Sequence, residues 1–101
     1  MNMNNQLSIT LEGVLLDKME VQNVSPTFTK QDFVLQVETN NGKEVFFDFV
    51  KITASKIIPA LENIPTGSNV RVFVNIKGNK VEKFPNTSYF TNLNAWKIEQ
   101  I

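Results

Sequence analysis

Hydrophobic and polar residues alternate along most of this chain, and the alternation divides it into strands. Leu7, Ile9 and Leu11 interleave with Ser8, Thr10 and Glu12, the period of a strand with one buried face. Gly13 interrupts the run before Val14-Leu15-Leu16 and predicts a bulge or sharp coil of the kind small barrels use to close. Asp17 to Thr29 reads as a long connection turning at Ser25-Pro26, with Phe28 either tucked into the barrel or beside a ligand groove. Asp32 to Thr39 alternates again, with Phe33, Leu35 and Val37 against Val34, Gln36 and Glu38. Asn41-Gly42 suits a tight hairpin turn. The return strand runs from Glu44 to Val50. Val45, Phe47 and Phe49 are assigned to the core, which leaves Phe46 and Asp48 on the outer face.

The period then changes. Ile57, Leu61 and Ile64 recur at helical spacing within Ile52 to Asn63, with Thr53 or Ser55 as candidate caps. Pro59 restricts this to a short or kinked helix, expected to plug one end of the barrel. After a turn at Pro65-Thr66-Gly67-Ser68, Val70, Val72, Val74 and Ile76 alternate with Arg71, Phe73, Asn75 and Lys77. A loop is expected from Gly78 to Asn86, then a last strand from Tyr89 to Glu99. Its apolar residues keep no single phase, which predicts a bulge near Asn92 to Asn94. Trp96 reads first as core and second as a stacking platform.

The order is strand, strand, strand, short helix, strand, strand. That is the order of an all-β, five-stranded oligonucleotide-binding (OB-fold) barrel with a short helix between strands 3 and 4. An SH3-like barrel, the main rival, usually lacks a helix there and needs shorter strands. Residues 1–6 are expected to be a flexible lead and 7–101 a single OB-fold domain.

Composition narrows the function. The chain has 101 residues, 42% hydrophobic and 20% charged, as expected of one folded soluble domain. It contains no run of apolar residues long enough to span a membrane, and its Asn-rich beginning does not resemble a secretory signal. With no Cys, a disulfide framework is excluded and a cytoplasmic location is expected. The absence of His removes the commonest general base, and no Ser, Thr or Lys stands in a nucleophile or phosphate-loop motif. No catalytic residue, metal or cofactor is therefore expected. Ten basic and ten acidic residues give zero net charge, which counts against nucleic acid unless one face is locally basic and aromatic.

Several stretches together resemble a family of small bacterial and phage OB-fold proteins similar to single-stranded DNA-binding proteins. They are Leu11-Glu12-Gly13-Val14, Phe28 to Val34, Gly67 to Val72, Val74-Asn75-Ile76-Lys77-Gly78 and, most specifically, Tyr89 to Glu99. The resemblance implies a non-catalytic protein that holds unpaired DNA open in replication, recombination or repair. It implies a homo-oligomer, replication or recombination proteins as possible partners, and the host cytoplasm if phage-encoded. RNA is not excluded as a ligand. The chain departs from the family pattern at Gln31, Asn79 and the Val81–Phe84 region, with less positive charge and one stacking ring fewer.

Single strands are held by rings that stack on bases and by cations that follow the phosphates. Phe28, Phe46, Tyr89 and Trp96 are the candidate rings, and Lys30, Lys77, Lys80 and Lys83 the candidate cations. Phe73, outward on the fourth strand, is expected at a subunit interface. The alternative function is a protein-interaction or assembly module on the same barrel that does not bind nucleic acid.

Overall fold

The chain follows the expected order: β1 (Ser8–Ser25), β2 (Phe28–Asn40), β3 (Val45–Ala54), α1 (Ile58–Glu62), β4 (Asn69–Lys83) and β5 (Asn86–Gln100). The structure, a computed structural model, describes residues 7–101, so the expected lead over residues 1–6 lies outside the described residues. The five strands close into a barrel in the order β1-β2-β3-β5-β4. All neighbours pair antiparallel except β3 and β5, which close the barrel in parallel at Thr53–Asn94 and Ala54–Ala95. This is the OB-fold barrel that the order of elements predicts.

Two of the expected alternations supply most of the core. Phe33 and Leu35 of β2 and Val70, Val72 and Val74 of β4 are fully buried, joined by Leu15, Ile52 and Leu61. Each such side chain contributes about 1.5–3 kcal/mol by leaving water. Leu61, from α1, plugs the barrel end as expected. The helix itself is shorter than its spacing suggests. Ile52 and Ala54 face the core from β3, so the strand continues through them and displaces the helix start to Ile58. Neither expected cap is used. Ile57 holds the N-cap position without a side-chain hydrogen bond, while the Thr53 hydroxyl donates to Asp32 at 2.7 Å. Pro59 fits because it lies in the first turn, where its missing N–H has no helical partner.

Register reverses the faces expected for β3. Phe33 pairs with Ile52 and Leu35 with Val50, which puts even-numbered β3 residues on the core side. Val45, Phe47 and Phe49 therefore point outward, and Phe46 shares the core-side face. The run also extends past the barrel body, so Phe46 is 49% exposed, Phe47 48% and Phe49 63%.

Two expected loops are strands. The Asp17–Thr29 connection forms the far ends of β1 and β2, which pair out to Ser25–Phe28 with bulges on the way. Gly78 to Asn86 likewise belongs to a ribbon in which β4 and β5 pair out to Lys83–Asn86. Beyond the barrel neither arm has a core to face, so neither carries clean alternation. The predicted bulges also move. Pairing passes through Gly13 to Val70 without a break, and the irregularity follows at Leu16. On β5 the shift occurs opposite Phe73 and Val74, where Trp96 is the extra residue. Ala95 and Ile98 can then both face inward, and Trp96 is expelled from the core it was first assigned to.

Gly13 has a different purpose. A β-carbon there would overlap the Gln36 carbonyl oxygen, so the close crossing of β1 over β2 requires glycine. At the β2–β3 tip, Gly42 adopts a φ of 90° and Asn41 accepts hydrogen bonds from the Lys43 and Glu44 N–H groups, the tight turn expected there.

Candidate nucleic-acid interface

The β4–β5 arm leaves the barrel at the Ile76–Leu93 rung and ends at Lys83–Asn86. Seven residue steps at strand rise make it roughly 23 Å long. Alternation continues along it without a core to bury, so each face presents whatever the sequence supplies. Lys80 and Tyr89 are directly opposite each other on the face continuous with the barrel interior. Tyr89 is 74% exposed. On the other face Asn79 pairs with Phe90, flanked by Lys77 opposite Asn92 and by Val81 opposite Ser88. Phe84, at the tip, is fully exposed and precedes a cis Pro85.

Charge on this arm is positive. Lys77, Lys80 and Lys83 face one carboxylate, Glu82, which takes an ion pair with Lys80 at 2.8 Å. That pair is exposed and therefore weak, so phosphate can displace Glu82 from Lys80 at little cost. The arm thus offers rings on both faces within reach of lysines, the combination that single strands need.

The other expected site residues lie elsewhere. Phe28 is exposed at the β1–β2 tip, and Lys30 is half-buried on the same arm opposite Gln22. Phe46 stands near the β2–β3 tip opposite Thr39. Trp96 is 51% exposed on the outer wall, where its ring meets Phe73 at 5.3 Å between centroids. Lys97 extends over Phe73 at 5.2 Å, so Phe73 is partly covered from its own chain. The structure thus unites Lys77, Lys80, Lys83 and Tyr89 on one arm and distributes Phe28, Lys30, Phe46 and Trp96 over three further places. Phe47, Phe49, Phe84 and Phe90 are exposed rings that sequence reasoning did not select. Extending β3 to Ala54 would have revealed the first two, because Ile52 and Ala54 fix the phase.

Beside Phe73, Arg71 donates to Glu12 at 2.7 Å and to Glu99 at 3.5 Å, tying β1, β4 and β5 together. The Glu12 hydrogen bond, then its charge, holds the Arg71 guanidinium above its ordinary pKa. Arg71 is thereby engaged within the wall. A groove on the outer surface is lined by Glu12, Val14, Gln36, Glu38, Phe47 and Ile101. Its two carboxylates give it the wrong sign for phosphate. Among the described residues no cluster of acidic side chains is placed to hold a metal, and no helix is long and apolar enough to cross a membrane.

The sequence matches a domain family of unknown function, DUF3127, over residues 10–99. The chain belongs to the DUF3127 family. No functionally curated protein matches it. Among solved structures, the barrel is similar to the dimeric N-terminal domain of PriB from Thermoanaerobacter tencongensis. That likeness has a TM-score of 0.68 at 18% identity, covering 94% of this chain and 96% of the other. The mitochondrial single-stranded DNA-binding protein Rim1 of S. cerevisiae is similar at a TM-score of 0.67 and 13% identity, covering 96% of each chain. The Plasmodium falciparum SSB, solved in complex with single-stranded DNA, has a TM-score of 0.68 at 16% identity, with 100% of this chain and 97% of that one covered. The resemblance read from the sequence holds for the fold: this DUF3127 member has an OB-fold of the type found in single-stranded DNA-binding proteins.

Proposed function

We propose that this protein binds single-stranded DNA without strong sequence choice and without catalysis, keeping unpaired strands open during replication, recombination or repair. The observation that carries the reading is the β4–β5 arm, where Tyr89 stands opposite Lys80 on one face and Phe90 shares the other with Lys77 and Lys83. A base stacked on Tyr89 leaves its phosphates within reach of Lys80, and one stacked on Phe90 leaves them beside Lys77. Phe46 and Phe28, exposed near the tips of the two other arms, are further stacking positions for a strand passing over the barrel. Lys30 and Trp96 complete the candidate contacts. The shared barrel with proteins named for single-stranded DNA binding supports the same reading.

One small barrel spans only a few nucleotides, so coverage of a long strand calls for several copies. An assembly module without nucleic acid is the second reading, supported by the exposed Phe47 and Phe49 and by zero net charge. Fluorescence anisotropy of a labelled oligothymidylate, at about 50 and about 200 mM salt, decides between them. Binding that weakens with salt, with duplex bound far less, is the expected result. Folded protein that ignores the oligonucleotide at low salt would leave the assembly reading.

A further inference from the structure

The outer face of β2–β3 has too much apolar surface for an idle wall and the wrong charge for DNA. Phe47 and Phe49 project from it, with Val45 before them and Lys51 after. Across the rungs, Glu38 pairs with Phe47, Gln36 with Phe49 and Val34 with Lys51. The charged side chains of the face are Asp32, Glu38 and Lys51, a net negative set, and Asp32 is already engaged by the Thr53 hydroxyl. The groove that continues the face past Phe47 adds Glu12. Phosphate is repelled here, whereas the lysines that attract it cluster on the β4–β5 arm.

The same face is complementary to itself. We propose that it docks on the same face of a second copy of this chain, forming a two-fold dimer in which Lys51 of each copy seats against Phe47 and Glu38 of the other. This rests on the assembly part of the proposed function and is independent of strand binding.

The pairing fixes the geometry. A two-fold axis lying between the faces, across the strands at the Gln36–Phe49 rung, maps each strand onto its counterpart in reverse direction. Phe49 then meets the partner's Phe49. Lys51, one rung away, lands over the partner's Phe47, whose own rung carries Glu38. Its aliphatic stem lies on the ring, and its ammonium reaches the Glu38 carboxylate one strand over. Both contacts occur twice. Within β2–β3 no like charges meet, because Asp32 faces the partner's Asn40 and Val34 faces the partner's Glu38. One face of two paired strands is small beside the roughly 800 Å² per partner of a standard interface, and a dimer of about micromolar strength is expected.

Sedimentation velocity of the full chain, over about 1 to 100 μM, tests this. The wild type is expected to pass from monomer to dimer across the range. Phe49→Ser, Lys51→Glu and Glu38→Lys should each raise the dissociation constant at least tenfold. The double variant Glu38→Lys/Lys51→Glu restores the exchanged charges and should recover most of the affinity. All these positions are solvent-facing or half-buried outside the core, so far-UV circular dichroism should be unchanged, and Phe73→Ser should dimerise as the wild type does. A monomeric wild type overturns the proposal, as do unaffected Phe49→Ser and Lys51→Glu variants or a double variant that stays apart. Dissociation by Phe73→Ser alone would move the interface to the β1–β4–β5 wall. Oligothymidylate anisotropy on the same samples keeps the two proposals separate, since loss of strand binding leaves the dimer result standing. A monomer whose Phe49→Ser variant loses the oligonucleotide would make this a strand-binding face and overturn the dimer.

Discussion

Gly13 and Tyr89 illustrate the two kinds of residue in this molecule, one fixed by packing and one left free by it. At Gly13 any side chain would collide with the Gln36 backbone, which cannot move without dislodging Leu35 from the core. Gly13→Ala is expected to destabilise the barrel by about 1–3 kcal/mol, the range for overpacking. Gly78→Ala meets nothing within 4 Å and should be nearly silent. Urea titration of the two variants checks the contrast. Tyr89 has the opposite character: it is exposed, and its removal takes nothing from the core. Tyr89→Ala should keep the wild-type urea midpoint while losing about 1–3 kcal/mol of strand affinity. That corresponds to roughly 5- to 150-fold in anisotropy titrations. A variant that binds as well as the wild type would remove Tyr89 from the site. Arg71 offers no comparable pH test. Its raised pKa adds stability that is lost only as pH rises beyond the ordinary arginine value, so the tie to Glu12 leaves no trace near neutrality through arginine titration.

Among the elements, the β4–β5 arm is separable from the barrel in energetic terms. The buried residues of β4 and β5 are Val70, Val72, Val74, Ala95 and Ile98, all inside the Ile76–Leu93 rung where the arm begins. Replacing Gly78–Thr91 by a short turn should therefore leave cooperative unfolding intact and abolish oligonucleotide binding. Within the full arm, Lys77→Gln and Lys83→Gln should each reduce the slope of log affinity against log salt by about 0.7 if the lysine meets a phosphate. An unchanged slope would mark a lysine as an ordinary solvated charge. The same division into barrel and arm explains what was legible in the sequence. Where one face is buried, as in Phe33, Leu35 and Val37 or in Val70 to Ile76, alternation gave strand and phase together. Where both faces are wet, as over Asp17–Thr29 and Gly78–Asn86, nothing selects apolar residues at every second place and the ribbons read as loops. β3 failed for a related reason. Its phenylalanines lie mostly beyond the body of the barrel, so the most hydrophobic set, Val45, Phe47 and Phe49, is the outward one. Trp96 was obscured by a bulge, which hydrophobic pattern places only to within a few residues. The lysine cluster and Tyr89 could be named from sequence, but their position on a ribbon could not.

At the scale of the whole molecule, the two proposed surfaces lie on different elements, one on the β4–β5 arm and one on the outer side of β2–β3. Substitutions in them should be independent, since no residue is shared. Their effects should nevertheless combine on a long strand. A dimer presents two arms, and once one arm has bound, the second meets the same strand at an effective concentration set by the intervening nucleotides. Lys51→Glu, which separates the copies, should bind an oligothymidylate of about 8 nucleotides as the wild type does, because one barrel covers such a length. On a strand several times longer the wild type gains from holding it at two points, and Lys51→Glu should fall behind by about 10²-fold. Restoring the dimer with Glu38→Lys/Lys51→Glu should restore affinity for the long strand while leaving the short one unaffected. Equal loss on both lengths would mean that Lys51 touches DNA itself, and equal affinity on both would mean that the two arms of a dimer cannot reach one strand.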